Sequence, residues 1–277
     1  MNPAESAGPS APPSFADRTL KAASIFWFLA ALAGQWLFAY YILRFYGGHA
    51  LDGDWAAWTD RMIVGFIEGD LIGNAAVILH IALAFYVTFF GPLQLFPLIR
   101  QRAPAFHHWN GRLYGATAFI ISLGALYMVW TRGAFDGAIG GPNAIGISIN
   151  AVLIMIFAGL AIRYAVARRI DLHHPWALRL FLSMSAVWFM RVGYGIWFFI
   201  HQGGRAPGVT AKLDGWFDIT LPFVAALFPL FVFDLYLRAK RSGSPALKLA
   251  IAALIVLLTL MMACGIVTFA SMRWLNY

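Results

Sequence analysis

The residues best equipped for chemistry come in a near-repeat. Phe-His-His-Trp-Asn-Gly-Arg occupies Phe106–Arg112, and Leu-His-His-Pro-Trp-Ala-Leu-Arg occupies Leu172–Arg179. Each copy gathers two imidazoles, an indole and a guanidinium into one short basic stretch. Imidazole ligates metals and moves protons, and guanidinium holds anions through charge-assisted hydrogen bonds. His80 and His201 stand apart from the repeats, and Arg191 lies inside the apolar run Val187–Tyr194. A charge near the centre of a membrane helix costs at least about 2.5–3.5 kcal/mol on insertion scales. Arg191 is therefore expected to face a protein interior with a counter-group, and Asp218 and Asp234 are the candidate carboxylates.

These groups need a scaffold, and composition says which kind. The chain has 277 residues, 61% hydrophobic and 12% charged, with mean hydropathy +0.72. Soluble domains carry about 25% charged residues, so an all-α, polytopic transmembrane helix bundle is expected. About seven runs are long enough to span: 20–45, 72–99, 113–131, 144–166, 177–200, 217–237 and 248–272. They are continuous rather than alternating, which excludes barrel strands. The formal charge of +8 follows from Lys and Arg gathering in one set of loops, and implies no nucleic-acid partner. The positive-inside rule then puts the N-terminus in the cytoplasm and the C-terminus outside. Both repeats become short cytoplasmic loops, with the bilayer as the chain's first partner. Residues 1–18, rich in Pro, Ala and Ser, read as a disordered cytoplasmic tail. Residues 19–277 read as one membrane domain. In 51–73, Trp55, Trp58, Met62, Ile63, Phe66 and Ile67 recur at helical spacing, which fits an interfacial amphipathic helix or an ordinary packed loop helix. The single cysteine, Cys264, excludes an intramolecular disulfide.

Histidines on antiparallel helices raise the question of b-type haem, whose iron is often held by imidazole. His80 with His107, and His173 with His201, bracket the bilayer. At about 1.5 Å per residue such pairs stand roughly 40 Å apart, wider than the hydrocarbon core of about 30 Å. One haem, or none, fits better than two. Gly91-Pro92 and Pro97, then Pro222 and Pro229, should bend their helices. No Walker loop, His-Glu-x-x-His, Cys-x-x-Cys or Gly-x-Ser-x-Gly is present.

On these motifs the chain resembles a family of bacterial predicted membrane proteins grouped as a domain of unknown function. The resemblance rests on Leu79-His80 with Gly91–Gln94, on His107–Tyr114, on His173–Arg179 and on Arg191, across about residues 72–240. His108 and His174 stand where the family has Arg, as does Pro175 at a second Arg position. The matching histidines are therefore His80, His107 and His173. A more distant likeness, to transmembrane b-type cytochromes, implies a haem-binding bundle.

Three functions fit the sequence. The first is a non-enzymatic carrier, sensor or accessory subunit of a larger membrane complex, in the bacterial inner membrane, with a cytoplasmic-side His/Arg site. The second is a haem b electron-transfer protein exchanging electrons with quinol. There His80, His107 and His173 are the metal ligands, and Arg112, Arg179 and Arg191 hold propionates. The third is a metal-dependent enzyme whose four repeat histidines converge on Zn or Fe.

Overall fold

The computed structural model describes residues 12–62, 64–134, 136–202 and 206–276, and their regular structure is helical. The first helix, α1, runs Phe15–Tyr41. It starts inside the stretch expected to be a tail, because Ser14 and Asp17 form a capping box. The Asp17 N–H donates to Ser14 Oγ at 3.2 Å, and the Ser14 N–H donates to the Asp17 carboxylate at 3.2 Å. Two orphan N–H groups are thereby satisfied. Residues 1–11 lie outside the described residues. A π-helical turn, Ile42–Gly47, continues α1 to Leu51. There follow α2 (Leu71–Phe90), α3 (Pro104–Thr131), α4 (Pro142–Val166), α5 (Ile170–Met184), α6 (Ala186–Ile200), α7 (Trp216–Arg241) and α8 (Pro245–Phe269). Pro opens α3, α4 and α8, where its missing N–H costs nothing. A second π-helical turn, Ala270–Trp274, ends α8.

Six helical stretches are long and apolar enough to cross a bilayer, and α5 with α6, bent by 55° at their junction, makes a seventh. The protein is a multi-pass membrane protein. Several expected boundaries move. The α-helix of the second span closes at Phe90, because Gly91-Pro92 turns the chain into a short 3-10 segment, and the span ends at Leu95 rather than at 99. The Phe90 carbonyl left over there accepts from the Asn110 amide at 3.1 Å, and Tyr86 Oη donates to Asn110 Oδ1 at 2.6 Å. The third span begins at Pro104 and the fifth at Ile170, so both histidine pairs sit on helices rather than in loops. The segment 51–73 is no amphipathic interfacial helix. Among the described residues between Leu51 and Leu71, only Trp55–Asp60 is helical, as a 3-10 turn. Trp58 is buried against Tyr46, to whose carbonyl its indole donates at 3.2 Å; Ile63 lies outside the described residues.

That loop is tied down by Arg132, at the end of α3. Its guanidinium donates to the carbonyls of Gly73 at 2.9 Å and Gly65 at 3.0 Å. Its Nε lies 2.9 Å from an Asp70 carboxylate oxygen, an ion-pair contact rather than an aligned hydrogen bond. The Arg132 side chain is 5% exposed and that of Asp70 34%. Arg132→Ala is expected to cost about 2–3 kcal/mol, below the 3–5 typical of breaking a fully buried pair. Thermal unfolding in detergent checks this, and a loss under about 0.5 kcal/mol, the range of ordinary surface substitutions, would contradict it.

The α5–α6 break is chemically prepared. Ser185 Oγ donates back to the Phe181 carbonyl at 2.8 Å, a bond that bends helices. Gln35 of α1 donates to the same Oγ at 2.9 Å, and Asn150 of α4 donates to the Ser183 carbonyl at 3.2 Å. Irregular backbone at membrane depth is tolerated only where protein or a cavity surrounds it.

Neighbouring helices close a ring: α1 on α2, α2 on α3, α3 on α4, α4 on α5 and α7, α7 on α6, α6 on α8, and α8 back on α1. The Asp17–Lys248 ion pair joins the starts of α1 and α8. The tightest seam is α6 on α8. A Cβ added to Gly195 would overlap the Gly265 carbonyl, and one added to Gly34 would lie 2.6 Å from Ile266 and 2.8 Å from Trp188. Small residues let membrane helices approach this closely. Large apolar side chains such as Leu123, Ile156, Phe231 and Leu257 point outward, as a lipid-facing surface requires.

Candidate functional site in the bundle interior

The ring encloses a cavity of about 600 Å³, within the range typical of small-molecule sites. Its wall comes from α1, α2, α3, α4 and α6, with the π-helical turns of α1 and α8 contributing Tyr46 and Trp274. It occupies mainly the half of the bundle remote from the N-terminal end of α1, and Thr59–Met62 and Arg273 stand at that remote end. Apolar side chains dominate, including Ile81, Ala84, Val87, Ile121 and Ile154.

Two candidate residues meet here. With α2 ending at Phe90, His80 falls at the middle of its helix, not near one end. Neither His80 ring nitrogen has a hydrogen-bond partner among the described residues, and Nδ1 is buried. Arg191 lines the same cavity, within electrostatic reach of His80. Its guanidinium donates to the Val187 carbonyl at 3.0 Å and stacks over the Phe38 ring at 4.8 Å. Those contacts use one of five N–H donors.

The expected carboxylate partners are committed elsewhere. Asp218 is 2% exposed and caps the start of α7. It accepts from the N–H groups of Thr210 at 3.0 Å and Gly215 at 3.1 Å, and from Tyr194 Oη at 2.7 Å. Asp234 is ion-paired with Arg179. Among the described residues no carboxylate lies within ion-pair distance of Arg191.

The other candidates form a second group at the start of α3 and α5. His107 lies within electrostatic reach of His173, His174 and Arg100. The two halves of the near-repeat share one geometry. Arg112 stacks over Trp109 at 4.9 Å, and Arg179 over Trp176 at 4.8 Å, each three residues along its helix. Within this group, the two histidines that fit the family motif each have a ring nitrogen engaged. His173 Nδ1 donates to the Ala161 carbonyl at 2.9 Å. With the Gln94 amide turned to satisfy both its sides, its NH₂ reaches His107 Nδ1 at 3.0 Å and its oxygen accepts from the Gly111 N–H at 3.3 Å. Two motif blocks, Gly91–Gln94 and His107–Tyr114, are thereby locked together. Tyr114 also packs where a Gly91 side chain would be, 2.8 Å from the position of its Cβ.

His80 thus stands apart from His107 and His173. Among the described residues no three His, Cys, Asp or Glu side chains gather as a metal site. The cavity also holds residues the motif reading missed. Gln35, Ser122 and Asn150 line it, with Trp188 and Trp274. Ser122 Oγ, Asn150 Oδ1 and both indole nitrogens are buried without a hydrogen-bond partner. Lone polar residues in otherwise apolar spans are the signal that could have found the first three.

Compared with known proteins, the chain finds no match among curated proteins and none among solved structures. A family model described as predicted membrane protein (DUF2306) matches residues 77–213. That segment contains His80, His107, Arg112, His173, Arg179 and Arg191, and leaves out α1, α7 and α8. It is narrower than the 72–240 expected from the motifs. Residues 77–213, just under half of the chain, are thus similar to the DUF2306 family of predicted membrane proteins.

Proposed function

We propose that this chain is a non-enzymatic binding protein of the bacterial inner membrane, a carrier, sensor or accessory subunit, whose ligand occupies the interior cavity. One observation carries the reading. Arg191 and His80 share a cavity of small-molecule size; among the described residues Arg191 has no carboxylate within ion-pair distance and His80 no hydrogen bond, although groups at membrane depth need such partners. The broken α5–α6 span supports it, because discontinuous helices recur at transporter binding sites. The N-terminus is assigned to the cytoplasm by loop charge. The His107/His173 group then lies on the cytoplasmic face, remote from most of the cavity, and is the natural contact for a larger complex.

Native mass spectrometry of the purified protein in lipid nanodiscs tests this. Wild type is expected to retain a small molecule, and Arg191→Gln to lose it. A wild type that carries nothing, and whose melting temperature ignores a total membrane extract, overturns the reading.

Haem b with quinol exchange is a second reading, favoured by the free imidazole of His80 beside Arg191, which would hold a propionate. His80 is the cavity's only histidine among the described residues, so bis-imidazole ligation does not fit there. A reduced-minus-oxidised absorption spectrum decides. A sharp b-type α-band lost in His80→Ala supports haem, and a featureless spectrum removes it.

A further inference from the structure

The charge and hydrogen-bonding character of the cavity wall narrows what it can hold. Among ionised lining residues, Arg61, Arg132, Arg191 and Arg273 face a single carboxylate, Asp60, which stands at the mouth. Arg132 is neutralised by Asp70. Arg61 is engaged with the Asn276 carbonyl and the Phe45 ring. Arg191 is the charge left in the interior. Around it, unpartnered donors prevail: the indole N–H groups of Trp188 and Trp274, 2% and 1% exposed, and one nitrogen of His80. Among the described lining residues the unpartnered acceptors are Asn150 Oδ1, the other His80 nitrogen and the Ser122 hydroxyl, which can also donate.

A cation in this space would meet Arg191 with no interior carboxylate to offset it. A neutral molecule would leave the guanidinium uncompensated at membrane depth. An anion removes that cost and supplies the missing acceptors. The remaining wall is apolar, and the deep end runs past Val87 and Tyr114 to Ile154. About 600 Å³ holds one aliphatic chain with its headgroup, but not both chains of a phospholipid.

We infer that the ligand is a single-chain amphipathic carboxylate, its headgroup on Arg191 and His80 and its tail in the apolar end of the cavity. This deepens the binding reading above and rests on it. Arg61 and Arg273 at the mouth would draw the anion in, since clefts lined by one sign of charge concentrate the opposite ion.

The test is a headgroup series on aliphatic chains of ten or twelve carbons. Dodecanoate, dodecanol, dodecyltrimethylammonium and the neutral acceptor decylubiquinone are titrated into protein in phosphatidylcholine nanodiscs. Quenching of tryptophan fluorescence is read against empty discs, with Trp188 and Trp274 as reporters. Dodecanoate is expected to bind at least about tenfold tighter than each of the others. In Arg191→Gln that preference should vanish, with dodecanoate and dodecanol converging. Equal or tighter binding of dodecanol, dodecyltrimethylammonium or decylubiquinone to wild type overturns the carboxylate assignment while leaving a binding cavity. If none binds and no molecule copurifies, the cavity reading falls as well. The wild-type series stands even if the variant does not fold.

Discussion

Arg191→Leu is expected to raise the melting temperature of the ligand-free protein while abolishing ligand retention. A mid-membrane arginine is unfavourable by at least about 2.5–3.5 kcal/mol on insertion scales, whereas leucine is favourable by about 0.3–0.6. Arg191 recovers part of that cost through one bond to the Val187 carbonyl and its stacking on Phe38, together worth about 1–2 kcal/mol. The balance left for leucine is a gain of about 1–3 kcal/mol. Such a trade of stability against activity is the mark of a residue kept for function. Thermal unfolding of wild type and variant, both stripped of ligand, measures it. A loss of stability instead would make Arg191 a structural post, and the cavity would lose its principal anchor.

Gly195→Ala should have the opposite and larger effect. The added methyl overlaps the carbonyl of Gly265, and backbone cannot rotate out of the way as a side chain can. The α6 and α8 axes must part, taking with them the packing of Trp188 and Ile266 around Gly34. Overpacking typically costs 1–3 kcal/mol; here a destabilisation of about 3 kcal/mol or more is expected, with loss of a single species in size-exclusion chromatography. Gly159→Ala is the matched control. It sits in α4, and its new methyl meets nothing within 4 Å. It should be neutral or gain up to about 1 kcal/mol from helix propensity. If both variants melt together, the seam is not where the bundle is held.

The number of spans was legible in the sequence because bilayer thickness fixes how long an apolar run must be. Their starts were not. His107, His108, His173 and His174 read as loop because they are polar, yet a helix entering the interface carries polar residues on its first turns without cost. The span through Val187–Tyr194 gave no sign of breaking, since the agent is one serine whose hydroxyl bonds back to Phe181. Arg191 was legible as an interior residue from insertion energetics alone. Its partners were not, because Asp218 is claimed by the backbone of its own loop, over a distance too short for a pattern of spans to resolve. The cavity is a property of ring closure and has no local signature. Its polar members, Gln35, Ser122 and Asn150, are visible only as single interruptions in apolar runs.

Ring closure also bears on biosynthesis. Within the ring, the helix synthesised first packs against the one synthesised last, with Asp17 waiting for Lys248. Until α8 is delivered, Gly34, Trp188 and Gly195 face lipid instead of a partner, and the cavity is open at its side. Every nascent intermediate therefore exposes to membrane quality control the seam that the finished protein hides. A nonsense mutation late in the reading frame, before Pro245, would be as damaging as an early one, yielding a chain with nearly all its helices and no enclosed interior.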